Sequence, residues 1–122
     1  MALHLIKLCV GADSLEDLES WIARRVDLQR AAGQSANQFH VTRMQPKRAD
    51  ELLDGGSLYW VIKGNVQARQ KLVGIEPFTD NEGIARCRLV LDPVLVHTRW
   101  QPKRPFQGWR YLKDDDKPAD LG

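Results

Sequence analysis

The chain has few of the residues from which disulfide-linked and metal-bound proteins are built. Only two cysteines and three histidines occur in 122 residues, and none of them stands at the spacing of a zinc site. Cys9 and Cys87 each lie in an apolar, strand-like stretch, which favours buried, reduced thiols over a disulfide framework. We therefore expect no metal and no other cofactor.

Long hydrophobic runs are also missing. No apolar stretch approaches the ~20 residues that cross a bilayer, and the first residues lack the basic-then-apolar pattern of a signal peptide. We expect a cytoplasmic protein with no membrane partner.

Catalytic motifs are equally scarce. The sequence contains no H-E-x-x-H, C-x-x-C or G-x-S-x-G motif, and Gly55 and Gly56 are not followed by the Lys-Ser/Thr pair of a phosphate-binding loop. Because the sequence shows no acid/base or nucleophile constellation, a catalytic function is less favoured than a binding or interaction function.

The composition is that of an ordinary globular domain. The chain has 43% apolar and 28% charged residues and a mass of 13.9 kDa. That length is typical of one domain. We expect a single domain over residues 1–113 and a separate, mobile acidic tail over residues 114–122.

Positive charge is concentrated in one part of the chain. Residues 1–56 carry a net charge of −1, residues 57–113 carry +6, and residues 114–122 carry −3. Such an asymmetry favours a polyanionic partner, although a small domain can carry it without one.

The first half predicts two strands and two helices. Residues 2–10 are apolar on both alternating faces, as in a strand covered on both sides. Asp13 and Glu16 stand at capping-box spacing before a helix over 14–32. Its apolar stripe consists of Leu15, Leu18, Ile22 and Val26. A strand over 39–44 and a short helix over about 48–54, ending at Gly55 and Gly56, follow.

The second half is rich in strand signals. A hairpin is predicted around Gly64 and Asn65, and the alternation slips by one residue at Gly74, which indicates a bulge. Another strand covers 84–91, an irregular connection covers 98–108, and a closing strand starts at Trp109. The expected fold is α+β, with a mixed or barrel-like sheet, one long helix and one short helix.

Residues 99–113, which we call the basic-aromatic segment, are the strongest functional signal. They contain five basic residues, four aromatic residues and no acidic residue. Cations can follow a phosphate backbone while aromatic rings stack on unpaired bases, so the segment favours single-stranded nucleic acid. The alternative is structural: Trp109 and Tyr111 close the sheet, Phe106 pins the loop, and the cations form a solvated rim.

A second basic set lies on the polar faces of two neighbouring predicted strands. Like charges opposite each other are destabilising, so acidic neighbours, stagger or an anionic ligand must compensate. The set consists of Arg69, Lys71, Arg86 and Arg88.

Four blocks of the sequence, residues 40–44, 48–64, 83–93 and 106–112, carry a resemblance to a known family. On these blocks the chain resembles a bacterial family catalogued as domain of unknown function 1489. That resemblance spans nearly the whole chain and implies no established activity, cofactor or catalytic residue.

Residues 59–63, 71–76 and 92–93 are similar to parts of the PUA-like superfamily, which includes the ASCH and EVE modules. This resemblance implies a small barrel that binds RNA or modified bases. It also implies that an aromatic and a basic group at the barrel mouth, in this chain Trp60 and Lys63, contact a nucleotide.

The residues together favour a nucleic-acid-binding module for RNA or single strands. Affinity is expected from Arg99, Lys103, Arg104 and Arg110, and stacking from Trp100 or Trp60. The alternative is a protein-protein interaction or homodimerising module, in which exposed Trp, Tyr and Arg side chains anchor the interface.

Overall fold

Seven strands and two helices follow one another along residues 2–121, the part of the chain that the computed structural model describes. The elements are β1 (Leu3–Leu8), α1 (Leu15–Ala31), β2 (Gln38–Thr42), α2 (Ala49–Leu53), β3 (Ser57–Ile62), β4 (Asn65–Thr79), β5 (Ala85–Leu91), β6 (Val96–Pro102) and β7 (Trp109–Lys113). A 3-10 turn, Asp114–Asp116, follows β7. This is a single α+β domain, as the sequence predicts.

The strands form one mixed sheet in the order β2-β5-β4-β3-β1-β7, with β6 paired to β4 outside this path. β1 pairs in parallel with β3 and antiparallel with β7. Leu5 packs on one face of β1 and Ile6 on the other, and both are buried. The prediction of an interior strand covered on both sides is therefore confirmed.

α1 covers one face of the sheet with its apolar stripe. Leu18 and Ile22 are buried in the larger core cluster, and Leu15 and Val26 pack at its edge. The helix cap is formed by Ser14 and Asp17, each one position after the predicted pair Asp13 and Glu16. Ser14 accepts a hydrogen bond of 3.2 Å from the backbone N–H of Asp17, whose carboxylate in turn accepts from Asp13 N.

Gly56 lets the end of α2 approach β1. A Cβ at this position would lie 2.3 Å from the carbonyl oxygens of both Leu3 and Leu52, so no larger residue fits without a backbone shift. The predicted helix stop is confirmed, because α2 ends at Leu53 and Gly55 follows with a φ of +90°.

β4 is long enough to pair in two parts of the sheet. Its first half pairs with β3 and β6, and its second half pairs with β5. The register shifts between Leu72 and Gly74, which confirms the predicted bulge.

The sheet is not closed into a barrel. β2 and β7 lie at its two ends, and within residues 2–121 no backbone ladder joins them. The barrel-like alternative is therefore set aside in favour of an open mixed sheet.

The acidic tail contacts the sheet over residues 114–121, while its mobility stays a prediction. Arg69 binds Asp120 at 2.7 and 2.9 Å, and Asp120 is bridged to Thr98 of β6. The backbone N–H groups of Arg99 and Leu121 complete this pairing, at 2.8 Å to Ala119 O and 2.9 Å to His97 O.

Candidate functional site

The basic-aromatic segment is more regular than the sequence suggests. Instead of an irregular connection from residue 98, β6 runs to Pro102 and pairs with the start of β4, where Val66 faces Gln101. Lys103 N then donates to Gly64 O at 2.9 Å. The segment is thus attached to the β3–β4 turn before it reaches β7.

Phe106 connects the segment to the core. Its half-buried ring packs against a second core cluster that includes Ile6 and Val66, on the sheet face opposite the larger cluster. Lys103 Nζ lies 5.7 Å and Arg110 Cζ lies 5.3 Å from the ring centroid. Two of the predicted binding cations are therefore held beside one aromatic ring, within the range of cation-π attraction.

The four predicted phosphate-binding cations are exposed and unneutralised. These cations are Arg99, Lys103, Arg104 and Arg110. None of the four forms an ion pair within residues 2–121. Trp100 stands among them with 65% of its surface exposed. The structure therefore leaves the four cations and one indole of this segment exposed.

The second basic set has a different environment. Arg69 pairs with Asp120, Arg86 with Asp80 at 2.9 Å, and Arg88 with Glu76 at 3.5 Å. Acidic neighbours thus compensate the positive charges of these three arginines, which is one of the three explanations that the sequence left open.

Lys63 occupies the β3–β4 turn with a φ of +51° and is exposed. Its Nζ lies 3.3 Å from the carboxylate of Asp13, also exposed. Lys63 precedes Gly64, whose carbonyl oxygen accepts the hydrogen bond from Lys103 N, and it therefore lies near the basic-aromatic segment. Asp13 partly neutralises the charge of Lys63.

Trp60 is a core residue. Only 4% of its surface is exposed, and its Nε1 donates to Gln70 Oε1 at 2.9 Å. The ring also stands edge-on to His40 at a centroid distance of 5.2 Å. Because stacking requires an accessible ring face, the proposed stacking role of Trp60 is corrected, and Trp100 is the remaining candidate.

Trp109 and Tyr111 hold a loop. Trp109 Nε1 donates to Met44 O at 2.8 Å, and Tyr111 Oη accepts from the backbone N–H groups of Lys47 and Arg48 at 3.0 and 3.3 Å. These contacts agree with the alternative in which the two aromatic residues have a structural role and do not stack on bases.

A cleft of about 790 Å³ lies between the two ends of the open sheet. Its polar lining includes Lys7 of β1 and Arg43, and Trp109 forms part of its apolar wall. The other lining residues are Val41, Thr42, Met44, Ile84, Ala85, Gln107 and Gly108. Burial lowers the pKa of the half-buried Lys7. Sequence reasoning missed this residue, although a lysine inside an apolar strand was a visible signal.

A smaller pocket of about 160 Å³ adjoins His40 and Cys9. Burial, followed by the positive charges of Lys7 and Arg25, lowers the pKa of His40 to about 4. Gln38 also lines this pocket, and its Oε1 is the one buried side-chain oxygen or nitrogen without a hydrogen-bond partner in the described chain.

His4, Ser57 and Asp114 come together without forming a nucleophile site. His4 Nε2 lies 2.8 Å from Asp114 Oδ1, and Nδ1 accepts from the backbone N–H of Ser57 at 3.0 Å. The hydrogen bond from His4, followed by that from Lys117, lowers the pKa of Asp114 to about 2. Neither ring nitrogen of His4 is hydrogen-bonded to the Ser57 hydroxyl, which accepts from Arg69 at 3.0 Å, and the cluster fastens the tail to the sheet.

Metal-ligating clusters and membrane-spanning helices are both absent from residues 2–121. No group of three or more His, Cys, Asp or Glu side chains there could hold a metal ion. No helix there has the length and apolar character needed to cross a bilayer.

A family model described as "Protein of unknown function (DUF1489)" matches residues 5–122. The chain belongs to this DUF1489 family. No curated protein and no solved structure matches it. Neither the family match nor the open sheet supports the resemblance to PUA-like modules.

Proposed function

We propose that this DUF1489 protein binds single-stranded nucleic acid, RNA in particular, through its basic-aromatic segment. The observation that carries the proposal is an exposed indole, Trp100, within a stretch of four exposed cations that have no acidic partner in residues 2–121. Cations without partners retain their attraction for phosphate, and their binding releases the counterions condensed on the nucleic acid.

The contrast within the chain supports the choice of segment. Arg69, Arg86 and Arg88 have carboxylate partners, so an anionic strand must compete with those carboxylates. Within residues 2–121, Arg99 and Arg104 face no such competition. Positive potential available to a ligand is therefore greater along the segment than along the β4–β5 arginines.

Trp100 supplies the aromatic part of the proposed interface. An exposed indole offers a face on which any base can stack, typically worth about 1–3 kcal/mol per base, without requiring a base sequence. The proposed specificity is thus for unpaired bases and not for a particular sequence.

The test is the salt dependence of binding to a random single-stranded RNA pool. The double charge reversal Lys103→Glu/Arg104→Glu should abolish binding while the circular dichroism spectrum stays native. The matched control is Arg24→Glu/Arg30→Glu, which makes the same charge change on exposed positions of α1. The control should retain most of the affinity, because only the overall charge has changed.

Single substitutions separate charge from stacking. Lys103→Ala should flatten the slope of log affinity against log salt by about 0.7, the value for one phosphate contact on a single strand. Trp100→Ala should weaken binding by about 1–3 kcal/mol with little change in slope. Absence of salt-sensitive binding by the wild type at about 50 mM salt would contradict the proposal.

A second candidate function is homodimerisation through β2. This strand lies at one end of the sheet, and its outward side chains Phe39 and Val41 are exposed and apolar, as is the nearby Met44. Open apolar edge strands favour pairing with another chain. Sedimentation equilibrium should then show a concentration-dependent mass that Val41→Lys abolishes, whereas a constant monomer mass would exclude this function.

A further inference from the structure

The cleft between β2 and β7 has the size and composition of a ligand site. Its volume of about 790 Å³ falls within the roughly 300–1,000 Å³ typical of small-molecule pockets. Its walls include the apolar side chains of Met44 and Ile84 and the indole of Trp109. Such walls suit a planar ring.

The charges of the cleft have one sign. Lys7 and Arg43 line it, and no acidic side chain among the described residues does. Lys7 is half-buried on β1, and its side chain forms no ion pair or hydrogen bond with any other residue between positions 2 and 121. A cation that is partly removed from water and has no counterion is destabilising, and an anion in the cleft would compensate it.

The cleft is also continuous with the basic-aromatic segment. Gln107, Gly108 and Trp109 form part of its wall, and they stand between Phe106 and Arg110 in the chain. A single strand would reach both by passing around the edge strand β7, because Phe106 and Trp109 pack on opposite faces of the sheet.

We infer that the cleft binds a nucleotide, with its phosphate at Lys7 and Arg43 and its base against the indole of Trp109. The further step, in which this nucleotide is one residue of a bound single strand, rests on the proposed function. A neutral peptide strand added to the edge of β2 is less suitable, because it would leave the Lys7 ammonium without a counterion.

The inference is tested first with free nucleotides. Calorimetric titration with uridine 5′-monophosphate and adenosine 5′-monophosphate should show binding, and the two corresponding nucleosides should bind about tenfold or more weakly, because they lack the phosphate. If no monophosphate binds more tightly than about 1 mM, the inference is overturned.

The deciding variant is Lys7→Met, which keeps the length of the side chain and removes its charge. It should weaken monophosphate binding by about tenfold to a hundredfold, as loss of a charge-assisted contact does. The melting temperature should stay the same or rise, because a cation without a partner has been removed from a partly buried position. A residue that merely supports the fold would show the opposite pattern, with a lower melting temperature and unchanged affinity.

Lys71→Met is the matched control, since Lys71 is an exposed lysine outside the cleft. It should alter neither monophosphate binding nor the melting temperature. Arg43→Met, at an exposed position of the cleft, provides a second variant if Lys7→Met does not fold, and it should weaken binding in the same direction.

Failure of this inference is distinguishable from failure of the proposed function. If Lys103→Glu/Arg104→Glu abolishes RNA binding but Lys7→Met changes neither RNA nor monophosphate affinity, the segment binds and the cleft does not. If the monophosphates bind in a Lys7-dependent manner and RNA does not bind at all, the cleft assignment stands and the proposed function is wrong.

Discussion

Trp109 Nε1 donates a hydrogen bond of 2.8 Å to the carbonyl oxygen of Met44, and this contact links the strands at the two ends of the open sheet. Met44 follows β2, and Trp109 begins β7. A side chain thus makes a connection that a closed barrel would make with backbone bonds. The bond lies next to the cleft, which both residues line.

Trp109→Phe should lower the free energy of unfolding by about 0.5–1.5 kcal/mol, because it removes one hydrogen-bond donor and keeps a ring. Urea unfolding monitored by far-ultraviolet circular dichroism measures the change. Trp100→Phe is the control and should change the free energy by less than about 0.5 kcal/mol, since this ring is exposed. Equal effects of the two substitutions would show that the Met44 contact contributes nothing.

Leu18→Ala should destabilise the protein by about 2–5 kcal/mol, because it leaves a cavity in the main core cluster, where Leu18 is 7% exposed. Leu28→Ala on the same helix removes an equally large side chain that is 66% exposed, and its cost should be small. Chemical unfolding of both variants gives the two values. A cost below about 0.5 kcal/mol for Leu18→Ala would mean that α1 does not pack as described.

The two thiols should react at different rates. Cys87 is buried in the core, whereas Cys9, expected from the sequence to be buried, is only half-buried. Burial raises the pKa of both thiols, so both should react more slowly with Ellman's reagent than a free thiol does. Cys87→Ala should keep the faster phase and Cys9→Ala should remove it, while faster labelling of Cys87 would contradict the packing of β5.

His40 should contribute to the acid sensitivity of the fold. Its pKa is lowered to about 4, mainly by burial, whereas an unfolded histidine titrates near 6.5. The unfolded chain therefore takes up a proton first as the pH falls from about 6.5 to about 4, and stability declines over that window, by at most about 1.4 kcal/mol per pH unit for this proton.

His40→Phe should flatten the decline of the unfolding free energy between about pH 6.5 and 4, since Phe retains an aromatic ring beside Trp60 and has no proton to gain. In the wild type, the His40 ring protons should titrate by nuclear magnetic resonance with a midpoint near 4. A midpoint near 6.5 would show that His40 is solvated.

Features governed by neighbouring residues could be predicted from the sequence. The apolar stripe of α1, the stop at Gly56 and the bulge at Gly74 all follow from local spacing or from the properties of glycine, and the structure contains all three. The interior position of β1 followed from its two apolar faces.

Features governed by distant partners could not be predicted in the same way. The length of β6 depends on pairing with β4, and the burial of Trp60 depends on its contacts with Gln70 and His40. The tail docks because Asp114 and Asp120 meet His4 and Arg69, which are 110 and 51 positions away. No local pattern of apolar and polar residues contains such information.

The candidate site also has one part that the sequence predicted and one part that it did not. Composition alone located the basic-aromatic segment, and the structure separates its exposed members from Trp109 and Tyr111, which hold a loop. The cleft required the three-dimensional arrangement, because Lys7, Arg43 and Trp109 come from three distant parts of the chain.

The position of β1 also has a consequence for the route by which the chain folds. Leu5 pairs with Leu58 on one side and with Tyr111 on the other, so its two ladders close loops of about 50 and about 100 residues. Such closures carry a large entropic cost before any contact is gained, and proteins dominated by them fold slowly. The β3–β4 and β4–β5 hairpins close much shorter loops and can assemble before β1 docks. The amino-terminal strand is therefore expected to join the sheet late, after these hairpins have formed, and β7 is expected to dock on it last.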